Sequence, residues 1–323
     1  VAVSAASGAA VAAGPAGAFE LPELSGSARY QLHYGFLAGG LDRDLLELRL
    51  SVDGELSDWL GYHADFGLDA WSLPEGGVKA LIGEVYADAA LGPVDLRAGN
   101  LIVSWGVADG INPMNVVNPE RGASAGSGAS AAASALSALD AGGIARRPVP
   151  AVEATYYAGD GVSAVTGVLV LDYVPAPLPA ELGQAAPAVG GTSDGLLDDI
   201  EFALRAETML GSYNLYASYF RGRQDLPAAW MEGDELHLAY RRMHHVGLAA
   251  AGSIGDAAAW VEAGAAIPDA IPELEPGMEG ITPMSSNGVH LQVVAGVEYT
   301  FDVGRGLFTS VQGVYDSTSS LFS

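Results

Sequence analysis

The chain has 323 residues, half of them apolar, with 39 acidic against 14 basic residues and a net charge of −25. This excess of acid argues against a nucleic-acid partner, because phosphates require a basic surface. Cysteine is absent, which excludes disulfides, thiolate metal sites and cysteine nucleophiles. No uninterrupted apolar run reaches the roughly 18 residues of a transmembrane helix, so a helical span is not expected.

The chain opens with a run of small residues, 1–18, which ends in Ala16-Gly17-Ala18, the A-x-A form of a secretory cleavage site. The basic segment that normally precedes such a run is missing. We interpret residues 1–18 as a signal-peptide remnant whose start is lost, and residues 19–323 as the exported domain. A disordered Ala/Gly leader is the alternative.

A side-chain period of two then recurs along the chain. In residues 29–34 and 46–53, apolar and polar side chains alternate, which is typical of β-strands with one apolar and one polar face. Most such segments have about the 9–11 residues that cross a bilayer as a tilted strand. Thirteen strands are predicted, near 28–36, 45–53, 59–70, 80–91, 94–105, 150–158, 162–173, 199–210, 212–222, 235–253, 257–266, 289–302 and 305–316.

The connections between these strands alternate in length. Short turns such as Asp53-Gly54-Glu55 and Leu91-Gly92-Pro93 contain residues suited to tight turns. They alternate with longer segments at 72–79, 106–149, 174–198, 223–234 and 267–288. Outer-membrane barrels have this plan and an even number of strands. We therefore predict an all-β fold, an antiparallel transmembrane β-barrel of about 14 strands, of which 13 are found in a truncated chain.

The two faces of the predicted strands separate a membrane barrel from a soluble β-sandwich. On the strand at 59–70, Phe66 and Leu68 share one face, whereas His63 and Asp65 share the other. A sandwich turns its apolar face into a core and its polar face to solvent. Here the polar face mixes acids, arginines and glycines, as suits a water-filled lumen. The apolar stripes are therefore expected to face lipid.

The most distinctive motif lies after the fifth predicted strand, in residues 105–121, Trp-Gly-Val-Ala-Asp-Gly-Ile-Asn-Pro-Met-Asn-Val-Val-Asn-Pro-Glu-Arg. Its two Asn-Pro pairs cannot continue a strand or a helix, because proline lacks an N–H and restricts the residue before it. Asparagine side chains satisfy the backbone in turns, so a compact loop is predicted. We expect this loop to fold into the lumen as a constriction. A rigid surface loop without contact to solute is the alternative.

This motif, with its setting, resembles an uncharacterised family of bacterial outer-membrane β-barrel proteins with porin-like architecture. The family's pattern joins Leu-Arg-x-Gly to Trp-Gly-x-Ala-Asp, followed by Asn-Pro-x-Asp and Asn-Pro-Arg. This chain shows Leu96-Arg97-Ala98-Gly99, Trp105 to Asp109, Asn112-Pro113-Met114-Asn115 and Asn118-Pro119-Glu120-Arg121. It departs from the pattern at Asn115, where an acid is usual, and at Glu120, which is inserted. The resemblance implies the fold and a location in the bacterial outer membrane, and no agreed substrate.

The rest of the 106–149 connection is low in complexity. Residues 122–145 consist mostly of Ala, Ser and Gly, and form either a mobile outer loop or part of a plug inside the barrel. Arg146 and Arg147 close the segment. Beside an acidic lumen, this pair is expected to set a transverse field across the pore. A solvated pair at the base of the loop is the alternative.

Enzyme chemistry has little support in the sequence. His63, Asp65 and Asp69 share one inward face, and barrel hydrolases place His and Asp at a rim for general-base catalysis. However, no nucleophile stands at a suitable spacing, and neither a phosphate-binding loop nor a zinc ligand set occurs. We therefore predict no enzymatic activity, no cofactor and no metal.

The sequence predicts a porin-like channel for passive diffusion of small solutes, surrounded by membrane lipid. Two alternatives stay open: a non-conducting barrel for adhesion, partner binding or envelope anchoring, and a rim-located hydrolase. Homo-oligomer formation is also left open. Because acids outnumber bases inside, a weak cation preference is expected. The residues predicted to line the lumen or its constriction are Glu47, Arg49, His63, Asp65, Glu84, Asp88, Arg97, Asp109, Asn112, Asn115, Asn118, Glu120, Arg121, Arg146, Arg147, Glu207 and Glu298.

Overall fold

The computed structural model describes residues 3–6, 22–35, 40–72, 76–108, 111–119, 146–176, 200–272, 281–283 and 285–317. These residues form strands joined by turns and irregular segments. Among them, no helix has the length and apolar character needed to cross a membrane. Contacts divide the chain into two units, Val1–Leu101 and Ile102–Ser323.

The first unit is an antiparallel meander. Its described strands are β1 (Val3–Ala6), β2 (Glu23–Gly35), β3 (Gly40–Ser57), β4 (Leu60–Trp71), β5 (Gly77–Leu91) and β6 (Val94–Leu101). Each strand pairs with the next one along the chain. Strands β2 to β6 correspond to the first five predicted strands. β1 lies inside the segment interpreted as a signal-peptide remnant, and the cleavage itself stays a prediction.

The second unit contains a large and a small antiparallel sheet. In chain order its described strands are β7 (Val149–Tyr157), β8 (Ala164–Val170), β9 (Glu201–Leu210), β10 (Tyr213–Arg223), β11 (Ala228–Glu232), β12 (Glu235–Ala239), β13 (Arg242–Ile254), β14 (Ala257–Pro268), β15 (Ile281–Pro283), β16 (His290–Phe301) and β17 (Leu307–Asp316). The large sheet has the order β7-β8-β9-β10-β13-β14-β16-β17, and the small sheet has the order β12-β11-β15. The predicted all-β class and the antiparallel pairing of neighbouring strands are confirmed.

The small sheet corrects the sequence prediction at one place. The sequence predicts a single strand over 235–253, but the structure divides this segment into β12 and β13, with Tyr240 and Arg241 between them. β12 pairs with β11, whereas β13 pairs with β10. β11 and β15 lie in segments predicted as loops, 223–234 and 267–288. A continuous side-chain alternation cannot reveal that the chain changes its partner strand.

Tight turns join several neighbouring strands at the positions that the sequence predicts. Gly211 connects β9 to β10 and Gly255 connects β13 to β14, with φ angles of 64° and 63°. Side chains with a Cβ rarely adopt this left-handed conformation, so glycine is the residue that permits a two-residue hairpin here.

Burial along the strands runs opposite to that of a water-soluble protein. On β9, Phe202 and Leu204 are 46% and 49% exposed, whereas Glu201 on the opposite face is 4% exposed. On β13, Leu248 is 59% exposed and His245 is 4% exposed. Soluble domains rarely expose continuous apolar stripes and bury ionisable groups beneath them. One face of the sheet is therefore apolar and uncovered, and the other is polar and partly covered.

Candidate functional site

The polar face of the first unit carries a cross-strand ladder of opposite charges. Arg49 on β3 donates to Asp69 on β4 at 2.6 Å and to Glu47 at 3.0 Å. Glu47 also lies 3.9 Å from Arg29 on β2. The strand register produces this ladder, because Glu47 is directly opposite Arg29 on one side and Asp69 on the other. Two predicted lining residues, Glu47 and Arg49, therefore contact each other on one face.

A second polar row on this face is centred on His63 of β4. Its Nδ1 lies 2.6 Å from Asp53, and its Nε2 lies 3.1 Å from Asp65. The imidazole stacks on Tyr86 of β5 with 5.1 Å between the ring centroids, and the Arg97 guanidinium lies 5.4 Å from the Tyr86 ring centroid. The row therefore runs from β3 to β6 and includes three predicted lining residues.

The remaining predicted lining residues of this unit lie on β5. Asp88 is directly opposite Arg97 on β6 and opposite Gly61 on β4. A Cβ at Gly61 would come within 2.8 Å of the Asp88 carboxylate, so this carboxylate lies over the glycine. Glu84 precedes Tyr86 by two residues and is half-buried. These acids extend the polar face across the whole meander.

The geometry around His63 does not match a serine hydrolase. The hydroxyl of Ser51 donates to Asp65 and not to the imidazole. Both ring nitrogens of His63 face carboxylates, so neither is placed to take a proton from that hydroxyl. A catalytic triad requires the imidazole to stand between the nucleophile and the acid. Within the described residues, no group of three His, Asp or Glu side chains is arranged to hold a metal ion.

In the second unit, the segment 102–119 leaves the sheet and lies on the polar face of β9, β10, β13 and β14. Trp105 is buried, and the Arg205 guanidinium on β9 lies 5.7 Å from its ring centroid. Met114 is buried beside β13, and Pro113 lies beside β14. We call this segment the pore loop, after the constriction that its sequence predicts. Its described part is 102–108 and 111–119.

The base of the pore loop is fixed by asparagines and arginines. Asn118 is fully buried; its Oδ1 accepts from the Val103 N–H at 2.6 Å, and its Nδ2 donates to the Arg147 carbonyl at 2.9 Å. Arg146 donates to the Asn118 carbonyl at 2.6 Å. With its amide group oriented so that both atoms find a partner, Asn115 donates to the Val103 carbonyl and accepts from Arg146 Nε, each at 3.0 Å. These side chains fasten the two ends of the loop to each other.

Arg147 and Asn112 are also tied to local backbone. Arg147 donates from its guanidinium to the Pro175 carbonyl at 2.7 Å. The Asn112 Oδ1 accepts from the Met114 N–H at 3.2 Å, which closes a turn at the tip of the loop. Predicted residues Asp109, Glu120 and Arg121 lie outside the described residues. The sequence therefore locates the asparagines and arginines of the loop, and the structure shows how most of them hold its shape.

Strands β9 and β16 carry the last two predicted lining residues. Glu207 on β9 accepts from Arg205 at 2.7 Å, and the same guanidinium lies 5.8 Å from the Tyr216 ring centroid. Glu298 on β16 is half-buried and lies opposite Ala258 of β14. Both acids share a face with the residues beneath the pore loop.

Glu262 on β14 has a contact with the pore loop that the sequence alone does not predict. It is fully buried, and its carboxylate accepts three backbone N–H groups of the pore loop. Val107 donates to Oε2 at 2.7 Å, Ala108 donates to Oε2 at 3.2 Å, and Met114 donates to Oε1 at 2.7 Å. The available signal is a lone acid inside the apolar strand Ala-Ala-Ala-Trp-Val-Glu-Ala-Gly.

Two strand glycines leave room for the pore loop. A Cβ at Gly264 would lie 2.7 Å from both the Pro113 carbonyl oxygen and His245 Nε2. A Cβ at Gly247 would lie 2.7 Å from Met114 Cγ. Contacts this short do not occur at real Cβ atoms, so the loop approaches the strands more closely than alanine would allow.

A polar cluster borders the apolar face where β10 and β14 meet the longer connections. Arg221 donates to both carboxylate oxygens of Asp269, at 2.8 and 2.6 Å. These hydrogen bonds hold the pKa of Asp269, which follows the end of β14, below its ordinary value. Nearby, the Tyr219 hydroxyl lies 2.7 Å from Nδ1 of His244. The apolar face thus ends in hydrogen-bonding side chains.

Among known proteins, the matches to this chain are solved structures. No model of a known protein family matches the sequence, and no curated protein matches it. OmpF of Salmonella typhi in complex with daunomycin shares 10% identity at a TM-score of 0.44, over 91% of this chain and 78% of that chain. Two mutants of the Rh. blastica porin share 13% and 14% identity at TM-scores of 0.31 and 0.32, each over 92% of this chain and 97% of the other.

Proposed function

We propose that this chain is a porin-like channel of the bacterial outer membrane, through which small polar solutes diffuse passively. The observation that carries the proposal is the inverted burial of the strands. Large apolar side chains such as Leu248 are exposed on one face, while ionisable side chains such as Glu262 are buried or paired on the other. Hydrocarbon against the apolar face and water against the polar face account for both faces together.

The height of the apolar face fits a bilayer. On β13 the outward side chains from Val246 to Ile254 are apolar or glycine, with Val246, Leu248 and Ile254 exposed. Eight residues at a rise of about 3.4 Å span about 27 Å, or about 21 Å of depth at a tilt of about 40°. The apolar band of outer-membrane barrels is about 25 Å tall. The apolar run on this strand therefore covers most of the height of the band.

The polar face would line the passage, and the pore loop would narrow it. The charge ladder around Arg49 and the row around His63 then supply fixed charges to the wall, together with Glu84, Asp88, Glu207 and Glu298. Because carboxylates outnumber the bases among these residues, the passage favours small cations weakly over anions. Asn118 has no exposed surface, so its part is to hold the loop.

Two other functions receive less support. The non-conducting barrel requires the polar face to be filled, yet the side chains of His63 and Asp65 keep 18% and 25% of their surface exposed. The rim hydrolase requires a nucleophile beside His63, and the Ser51 hydroxyl instead donates to Asp65. Neither a homo-oligomer nor a particular solute follows from these residues.

Planar-bilayer recording tests the proposal. Protein refolded in detergent and added to one side of the bilayer should give stepwise currents, with a reversal potential in a salt gradient that favours cations slightly. Replacing both Asp65 and Asp69 with Asn should reduce that preference, since both lie on the polar face. Glu232→Gln removes a charge from β11 of the small sheet, which carries neither polar row, and should leave the cation preference unchanged. Absence of current from folded protein would favour the non-conducting barrel, and an anion-selective potential would contradict the proposed lining.

A further inference from the structure

The fully buried carboxylate of Glu262 has no evident role in lining a passage. In the described part of the chain its contacts are backbone N–H groups of the pore loop, at Val107, Ala108 and Met114. Burying a charged carboxylate is costly unless hydrogen bonds replace its hydration. Three N–H donors converge on it and provide that replacement.

We propose that Glu262 is the positioning residue that holds the pore loop at a fixed distance from the strands, and thereby sets the width of the passage. The inference deepens the proposed function and rests on it, because a loop narrows a passage only if there is one. Glu262 itself does not meet the solute, since it has no exposed surface.

The geometry singles out Glu262 because its carboxylate bridges two separate parts of the loop. Oε2 accepts from residues 107 and 108, and Oε1 accepts from residue 114 on the other side of the turn at Asn112. One side chain on β14 therefore fixes both limbs of the loop. A neutral amide side chain has only one acceptor atom, so it cannot offer a separate oxygen to each limb.

The backbone of the loop is shaped to meet this carboxylate. Gly106 has a φ of 107°, a conformation that side chains with a Cβ rarely adopt. A Cβ at this position would lie 2.5 Å from Glu262 Oε2 and 2.2 Å from Asn112 Oδ1. The bend at Gly106 thus brings the following N–H groups to Oε2, and it would be lost with any larger residue.

The loop has a second attachment, which makes the role of Glu262 separable from folding. Asn118, Asn115 and Arg146 fasten the two ends of the loop independently of β14. Without Glu262, we expect the ends to stay attached while the middle, around residues 107–114, leaves the wall. The expected change is therefore in the position of the loop and the size of the passage, with the strands intact.

The decisive variants are Glu262→Gln and Glu262→Asp. Glutamine keeps the size of the side chain, but its NH₂ group faces loop N–H donors in place of an acceptor oxygen. Aspartate keeps both acceptor oxygens on a side chain one methylene shorter. We expect Glu262→Gln to show several conductance levels where the parent shows one, and to let larger neutral polymers enter the channel. We expect Glu262→Asp to keep most of the parent's conductance and polymer-size limit.

A matched pair of glycine variants covers the case in which Glu262→Gln does not fold. Gly264→Ala places a methyl group against the Pro113 carbonyl and should displace the loop with Glu262 intact. Gly167→Ala on β8 adds the same methyl group where nothing lies within 4 Å. Gly264→Ala should therefore reproduce the conductance change, and Gly167→Ala should match the parent.

A distance measurement separates this inference from the proposed function. The chain has no cysteine, so spin labels can be attached to cysteines introduced at Ile111 of the loop and Ala258 of β14. The doubly labelled parent should give one narrow distance distribution, which Glu262→Gln should broaden and lengthen. If Glu262→Gln leaves the distance distribution unchanged, the inference is overturned. It is also overturned if the distance distribution broadens while the conductance stays the same. A parent that carries no current overturns the proposed function, while the distance distribution still decides whether Glu262 holds the loop.

Discussion

Arginine substitutions along β13 distinguish a strand in hydrocarbon from a strand in water. Leu248 lies at the middle of this strand, and Ile254 is its last residue; both side chains are on the exposed apolar face. Six residues at about 3.4 Å span about 20 Å, which at a tilt of about 40° places Ile254 about 16 Å from the depth of Leu248. Leu248 is therefore expected closer to the midplane than Ile254, which lies at the end of the apolar band.

The predicted cost differs accordingly between the two positions. Arginine on the lipid face of a barrel costs about 2–4 kcal/mol at the midplane and about 0–1 kcal/mol near the surface. We expect Leu248→Arg to lower the free energy of unfolding by that larger amount and Ile254→Arg by the smaller. On a water-exposed sheet, both substitutions should change it by less than about 0.5 kcal/mol.

Equilibrium unfolding in lipid vesicles provides the assay. Tryptophan fluorescence is followed against denaturant for the parent and both variants, and the midpoints are compared only where the slopes agree. If Leu248→Arg lowers the free energy of unfolding by about 2 kcal/mol more than Ile254→Arg does, the strand lies in the membrane. Equal, small effects at the two positions would refute the assignment of this face to lipid.

Two further predictions concern packing and pH. Gly296→Ala should lower the free energy of unfolding by about 1–3 kcal/mol through overpacking, because the added Cβ would lie 2.2 Å from the Trp260 ring. Gly313→Ala is the matched control, since its Cβ would meet nothing within 4 Å. In the same assay it should change the free energy of unfolding by less than about 0.5 kcal/mol. The lowered pKa of Asp269, caused chiefly by the Arg221 hydrogen bonds, means that the pair stabilises the fold above about pH 4 and loses this effect as the pH falls. The stability difference between the parent and Asp269→Asn should therefore shrink in acid, by less than about 1 kcal/mol since the pair is partly exposed, and a difference that grows in acid would contradict this assignment.

Local patterns in the sequence predict the strands because each strand satisfies its own periodicity. The alternation of His63 and Asp65 with Phe66 and Leu68 fixes the two faces of β4 without knowledge of its partners. The same alternation does not predict that the pairing of β4 with β5 shifts its register between Ala64 and Phe66. A register shift depends on the partner strand, so it is not encoded in the period of one strand.

The pore loop is predicted in part for a similar reason. The Asn-Pro pairs mark an irregular, compact segment, and the structure shows Asn118 fixing its base. The contact of Glu262 with the loop could not be predicted, since Glu262 and Met114 are separated by 148 residues in the chain. A lone acid in an apolar strand looks the same whether it faces water or backbone N–H groups. The glycines at 247 and 264 were a usable signal, because glycine in a strand often marks the close approach of another backbone.

The central claim is that the exposed apolar face contacts hydrocarbon and the opposite face contacts water, and spin labelling of β16 tests it most directly. Single cysteines at Val293 and Val297 report on the apolar face, and those at Gln292 and Glu298 report on the polar face. In lipid vesicles, labels on the apolar face should collide often with oxygen and rarely with a water-soluble nickel chelate, and labels on the polar face should do the reverse. Equal accessibility on both faces, or nickel contact at positions 293 and 297, would contradict the account.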